Sequence, residues 1–400
     1  ALSSSGGLGA GVVDVMVTNV LDPRGVFIPG YSNRTVDAAT SLVVTGLMPE
    51  VTYYYRVRGY ISAGCISGNS DARSVATPGY SSEWDSGGSG RFWTTPANWV
   101  GDEVPRTNAT VYFYASNEAQ TNVYLDGNQI AKGLRFTDNA SINVNVASNS
   151  LAIHGGGIGV AAGATASHGI SSDLVLAEDQ AWTNDAAVDF TVSGAVAGSR
   201  TLAKRGAGRI VLAAHDSTFS GALAVDAGAV QIRGTNALGT TVGGTVVADG
   251  AALELHGGGA AVRFAAEPVT LSGTGVTNGG ALRFLQNGVD FRGPIALAAD
   301  ARIQAAADSP TASGNVDLGA RTLYVGVDGT ELTLSGNLSG TRTDGAGAFV
   351  KDGASRLILT GNNTNLTGTF TFQAGEIRIG TANAMGNTGL LVFGNNVVMK

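Results

Sequence analysis

Apolar and small polar residues alternate along most of this chain. The runs ATVYFY from Ala109, INVNV from Ile142, DLVL from Asp173, FTVS from Phe190, RIVL from Arg209 and LTLS from Leu332 all show it. A period of two puts successive side chains on opposite faces, so each run predicts a strand with one buried and one exposed face. Gly or Asn stands at the bends between runs, residues that adopt left-handed backbone at little cost. Helical spacing with caps is almost absent, so the reading is all-β, nearly uniform over 111–400. Residues 1–79 differ. There the strand-like runs are Val43-Val44-Thr45, Tyr53 to Tyr60 and Ser74 to Thr77, with turn clusters at 46–50, 63–64 and 68–71.

One segment of the uniform region occurs twice. Residues 202–239 align without a gap on 349–386, an offset of 147 (349 against 202). Matching pairs include Lys204/Lys351, Gly206/Gly353, Arg209/Arg356, Leu212/Leu359, Gly221/Gly368, Ala227/Ala374, Gly228/Gly375, Ile232/Ile379 and Gly239/Gly386. Self-similarity at a fixed offset predicts one structural unit used more than once, here a β-solenoid. Coils of ~20–25 residues stack their inward Val, Leu, Ile and Phe on one another. With strands ~4.8 Å apart, the region makes about 13 coils. Asn236, Asn363 and Asn383 suit turn ladders. The open ends of such a stack need a cap or a partner.

The repeat resembles the autotransporter-associated β-strand repeat: Lys204, Gly206, Gly208, Ile210, Leu212, Phe219, Gly221, Val225, Ala227-Gly228 and Val230 to Ile232 in the first copy. The second copy carries Lys351, Gly353, Leu357, Leu359, Asn363-Thr364, Gly368, Phe372, Ala374-Gly375 and Ile377 to Ile379, and departs at Ser355, where the second Gly of the G-x-G is missing. The resemblance covers 170–400 firmly and 81–170 loosely. It implies a right-handed parallel β-helix in a secreted passenger or bacterial surface protein. In the first region, Gly46-Leu47-x-Pro49, Thr52 to Arg58 and Ala76-Thr77-Pro78 resemble the C-terminal half of a fibronectin type III domain, which implies a small β-sandwich with a tyrosine corner. The residues before Val12 are too few for both opening strands, so the sandwich is expected to be either truncated or completed by strands from elsewhere. Between the two regions, 80–110 reads as a Gly/Ser linker with an aromatic cluster, Trp84, Phe92, Trp93 and Trp99. Those rings are expected either to cap the first coil or to form a carbohydrate-stacking platform.

Composition narrows the chemistry. Charged residues make up only 14%, against roughly 25% in an ordinary soluble domain. A hydrophobic content of 44% argues against disorder, and the 59 glycines follow no three-residue period, which excludes collagen. The net charge of −7 disfavours nucleic acid as a partner. No apolar run is long enough for a membrane-spanning helix. Neither a basic and apolar leader nor a membrane barrel is visible, so a mature form or a fragment is expected. Cys65 has no partner cysteine for a disulfide. His154, His168, His215 and His256 are scattered and read as exposed loop residues, without metal spacing. The Gly-rich stretches at 154–159, 206–208 and 257–259 lack the Lys-Ser/Thr of a phosphate loop and read as tight bends. Asp173, Glu178, Asp179, Asp185 and Asp189 are the nearest thing to a paired-carboxylate hydrolase site, but no basic or aromatic set accompanies them. Calcium at Asp126-Gly127-Asn128 or Asp328-Gly329 lacks the expected repeat array, and the sequons at Asn33 and Asn337 arise readily in Asn-rich turns.

The expected organisation is therefore a fibronectin type III-like sandwich over 1–79, a linker and aromatic cap over 80–110, and a parallel β-helix over 111–400. The expected protein is a non-enzymatic, secreted or cell-surface adhesive and structural protein without cofactor or metal. It would associate with itself, as a head-to-tail filament through strand complementation, or with a host or matrix surface. A polysaccharide-binding or polysaccharide-degrading β-helix is the alternative.

Overall fold

The computed structural model describes residues 2–3, 11–17, 26–28, 30–32, 34–36, 41–45, 47–62, 65–113, 122–137, 141–145, 149–342, 347–387 and 389–400. Asn33, Gly46, Ala63-Gly64, Tyr114, Val146 and the Cys65 side chain lie outside what is described. The chain divides into two compact units, Ala1–Tyr80 and Ser81–Lys400.

The first unit is built on an antiparallel sheet. Gly11–Val17 pairs with Thr52–Ser62, with Val26–Phe27 and with Arg34–Val36. On its other edge Thr52–Ser62 takes Cys65–Ile66 and Arg73–Ala76. Ile28, Tyr31 and Tyr53 are its buried residues. The Tyr53 hydroxyl accepts the Met48 N–H at 2.7 Å and the Tyr31 hydroxyl accepts the Thr45 N–H at 2.9 Å, so both phenols close back onto nearby backbone. A second, two-stranded sheet pairs Leu2–Ser3 with Ser41–Leu42, and Leu42 packs against the same core.

The second unit is a parallel β-solenoid. Its strands pair with partners 20 to 29 residues further along, for example Arg209–Leu212 with Ala229–Ile232 and Ala252–Leu255 with Leu282–Phe284. Three sides repeat in turn. One runs Ser81–Trp84, Thr110–Phe113 and onward to Leu202–Arg205, Leu223–Val225 and Thr245–Val247. The second runs through His168–Ile170, Phe190–Val192, Arg209–Leu212 and Ala229–Ile232. The third is clearest in Arg263–Phe264, Asp290–Phe291, Thr311–Ala312, Glu331–Leu334 and Arg356–Leu359. The segment expected as linker thus carries the strand Ser81–Trp84, paired in register with Thr110–Phe113.

Inward positions stack in columns along the solenoid. One reads Val111, Leu134, Ile158, Trp182, Lys204, Val225, Val247, Leu271. Another reads Ile210, Val230, Leu253, Leu282, Ile303, Val325, Lys351, Phe372. Each apolar member, removed from water on both sides, contributes about 1.5–3 kcal/mol before entropy is charged against it. Phe113 and Phe136 stack at 4.9 Å between centroids, and Phe349 meets Phe370 at 5.0 Å. The histidine expectation needs correction here. His168 is buried in this core beside Phe136 and accepts the Ile142 N–H on Nδ1 at 3.2 Å. A ring that accepts a hydrogen bond on one nitrogen is neutral, so the coil can enclose it.

Candidate functional site

The aromatic cluster sits on the first coil of the solenoid. Trp84, Trp93 and Trp99 are 2%, 0% and 0% exposed, while Phe92 is 48% exposed. Trp99 takes both other indoles edge-on at 5.0 Å and donates Nε1–H to the Trp93 carbonyl at 2.7 Å. Asn98, fully buried, accepts the Gly88 N–H and donates to the Phe92 carbonyl, which fixes the loop that brings the indoles inward. Buried rings present no face to a sugar. Phe92, tilted against Tyr124, keeps an outward surface.

The repeat places two cations at fixed positions. In LAKR, Leu202 points in and Ala203 out, so Lys204 follows inward, into a column of Trp182 and Val225. It is 1% exposed, and its ammonium donates to the carbonyls of Arg205, Gly206 and Ala227, each at 2.8 Å. Lys351 repeats this at 0% exposure, donating to Asp352, Gly353 and Ala374 at 3.0, 2.8 and 2.9 Å. Two of the three acceptors belong to the lysine's own bend and the third to the next coil, so the ammonium ties neighbouring coils together. An NH3 group has three donors, and all are used. Burial pulls Lys204 and Lys351 down to about 8, with Asp185 opposing it for Lys204, and Asp352 and Asp328 for Lys351.

The glycines of the motif make this cradle possible. Gly228 has φ +65°, and a Cβ there would meet the Gly206 and Gly208 carbonyl oxygens at 2.5 and 2.6 Å. Gly375 stands likewise against Ser355 and Gly353. A Cβ on Gly208 would meet the Ala186 carbonyl oxygen at 2.2 Å and the amide of Asn184 at 2.7 Å, the latter held by its bonds to the Val188 and Arg209 carbonyls. In the second copy Ser355 takes the place of this glycine and donates its N–H to the Val327 carbonyl at 3.2 Å.

The second cation is outside. Arg209 pairs with Asp189 at 3.3 Å on the preceding coil and with Glu254 at 3.5 Å two coils ahead. Its counterpart Arg356 lies between Glu331 at 3.2 Å and Glu376 at 2.8 Å, on the preceding and following coils. The hydrogen bonds that Arg356 donates to Glu376 and then to Glu331 raise it, and the bonds Glu376 accepts from Arg356 lower Glu376. Each repeat is therefore an inter-coil clamp, with a lysine inside and an arginine outside.

The candidate carboxylates are not assembled into a hydrolase pair. Asp173 and Asp179 accept the backbone N–H of Ala195 and Thr201, on the following coil, at 3.0 and 2.9 Å. Glu178 accepts from His154 and the Gly155 N–H, and Asp189 faces Arg209. The Thr201 hydrogen bond lowers Asp179, and the His154 hydrogen bond lowers Glu178. The same hook recurs from Asn128 to Ser150, Asn315 to Asn337 and Asn337 to Asn362. The Asn ladder runs through these residues rather than Asn236 and Asn383. Asn363 is buried, accepting the Leu338 N–H and donating to the Ala384 carbonyl. The loop aspartates considered for calcium are engaged too, Asp126 with Thr94 and Asp328 with Gln304. Among the described residues, no group of three His, Cys, Asp or Glu is placed to hold a metal. Over the Gly-rich stretch, Arg135 donates to the Gly156 and Gly157 carbonyls, so the corner is closed by a guanidinium.

The parallel solenoid with clamps at two equivalent segments has the architecture of an autotransporter-passenger β-helix, and the comparisons with known proteins point to that class, which is secreted to the bacterial cell surface. The Passenger-associated-transport-repeat family matches this chain at 202–232 and 349–379, the segments that hold the clamps. The chain is also similar to the adhesin BmaC autotransporter of Brucella suis biovar 1 (strain 1330), with 31% identity over 197 residues. That alignment spans 48% of this chain and 4% of the much longer Brucella protein. No solved structure matches the chain.

Proposed function

We propose that this chain is a scaffold section of a surface adhesin, in which the solenoid supplies reach and its outer sides supply contacts. The observation that carries the reading is the use of polar chemistry. The buried lysines, the arginines of the clamps and the candidate acids all serve contacts between coils. The similarity to an adhesin, over a small part of that protein, supports the same direction. The three buried tryptophans act as a cap on the first coil, and Phe92 is the one ring of the cluster available to a ligand. Beads coated with the purified chain are expected to adhere to host epithelial cells or matrix-coated wells above albumin-coated beads. Absence of adhesion together with release of reducing ends from a polysaccharide panel would replace the proposal with an enzymatic one.

Self-association is the finer form of this reading. Strand Leu390–Met399 carries exposed Leu390, Leu391, Val392 and Phe393, an edge able to pair with another chain. Sedimentation of the full chain beside a variant lacking residues 390–399 tests it. Concentration-dependent oligomers that vanish on deletion support pairing there, and a monomer in both cases removes it.

A further inference from the structure

Between the two clamps the solenoid changes character. Here lie two of its longest coil steps, Leu253 to Leu282 and Gly273 to Ala301, 29 and 28 residues apart, matched only by the 29-residue step from Ser81 to Thr110 on the first coil. Thr277 and Asn278 adopt left-handed backbone, with φ of 50° and 61°, unfavourable above all for a β-branched threonine. Three of the buried side-chain polar atoms without a hydrogen bond among the described residues fall here, Thr240 Oγ1, Glu267 Oε2 and Arg283 Nε, and the Thr245 hydroxyl has only the Glu267 carboxyl beside it. Buried polar groups are normally satisfied, and each orphan costs about 1–3 kcal/mol. No lysine cradle compensates.

Glu267 is the titratable member of this set. It is 3% exposed, just before Pro268 at the corner leading into Val269–Gly273. The groups that face its carboxyl are Thr245 and the Gly244 N–H on the coil behind, while Gly293 on the coil ahead stands against its backbone carbonyl. None is charged. A carboxylate enclosed there has neither cation nor hydrogen bond for Oε2, whereas a carboxylic acid is tolerated.

We propose that the segment from about 240 to 295 is a weak link held between the two repeat clamps, and that Glu267 is its pH-sensitive latch, closed when protonated and loosened when ionised. Burial raises Glu267 to about 7, against a weak opposing pull from Gly244 and Thr245. The open form has an ordinary carboxyl near 4.5. Between those values the closed coil binds the extra proton, so its stability is greatest in mild acid and falls as pH rises toward 7, staying low above it. A shift of this size corresponds to about 300-fold in the local opening constant over the whole titration, of which about thirtyfold falls between pH 5.5 and pH 8.

Hydrogen–deuterium exchange of the full chain at about pH 5.5 and about pH 8, corrected for intrinsic rates, tests this. Peptides within 240–295 are expected to lose about thirtyfold protection at the higher pH, while those within 202–232 and 349–379 keep theirs. In Glu267→Gln the loss should vanish. In Thr245→Val, which removes the weak pull toward the ionised form, it should steepen. Equal protection of the middle and clamp segments at both pH values overturns the proposal, as does a pH response that survives Glu267→Gln or is flattened by Thr245→Val.

Discussion

Replacing Lys351 with methionine separates the structural value of its charge from that of its bulk. The side chain is fully buried, and Met fills a similar volume beside Val325 and Phe372. What is lost are three donors, leaving the carbonyls of Asp352, Gly353 and Ala374 without Nζ. An unsatisfied buried acceptor costs about 1–3 kcal/mol, so three cost about 3–9 kcal/mol. Against this, the variant no longer buries an ammonium. The fall from 10.5 to about 8 sets that burial cost at about 3 kcal/mol. The expected net loss is about 0–6 kcal/mol, centred near 3 kcal/mol. Because a solenoid need not unfold in one step, exchange protection of peptides within 349–379 is the better readout, with urea unfolding by circular dichroism in support. The pH response gives a second signature. The folded amine sheds its proton near 8 and the unfolded one near 10.5, so wild-type stability rises with pH across that window, and Lys351→Met flattens the rise. A variant within about 0.5 kcal/mol of wild type, or more stable, would refute the clamp.

Three further outcomes follow from the same geometry. Gly228→Ala forces a Cβ onto two carbonyl oxygens and should disrupt the first repeat, while Gly250→Ala, also at positive φ (+78°) but in open space, should cost only about 1–2 kcal/mol in thermal unfolding. Arg356→Gln should remove a salt-sensitive part of the stability, so that wild type and variant converge as sodium chloride is raised in urea titrations, whereas the deficit of Lys351→Met persists. His154 and the Gly155 N–H hold Glu178 below its ordinary value, so this contribution is present above about pH 4.5 and fades as pH falls; acid melts of Glu178→Gln should lack that component.

Most of the fold is legible in the alternation of residues, because a solenoid side uses a strand period of two and its bends need glycine. The clamp is half legible. Lys204 occupies an inward parity position after Leu202 and Ala203, a placement that marks a buried cation, yet as a motif letter it says nothing of three carbonyls. The role of Arg209 and Arg356 emerges only once coils are stacked, since their partners are 20 to 45 residues away. The hooks carry a faint signal: Asp173 and Asp179 precede their acceptor-bonded partners Ala195 and Thr201 by the same 22 residues. Glu267 has no sequence signal, because its burial depends on a corner closed by Gly244 and Gly293 from two other coils. The first unit is the least legible, its sheet resting on strands of two or three residues such as Val26–Phe27 and Arg34–Val36.

Engineered cross-linking tests the stacking most directly. Ala203 and Ala224 are outward register partners on adjacent coils, and Val246 is the partner of Ala224 one coil further on. Adjacent strands stand about 4.8 Å apart, within disulfide reach, and a two-coil step of about 9.6 Å is beyond it. In a Cys65→Ser background, the pair Ala203→Cys with Ala224→Cys should oxidise readily, and Ala203→Cys with Val246→Cys should stay reduced. Efficient oxidation of the second pair, or failure of the first in a folded chain, would contradict the coil register on which both clamps depend.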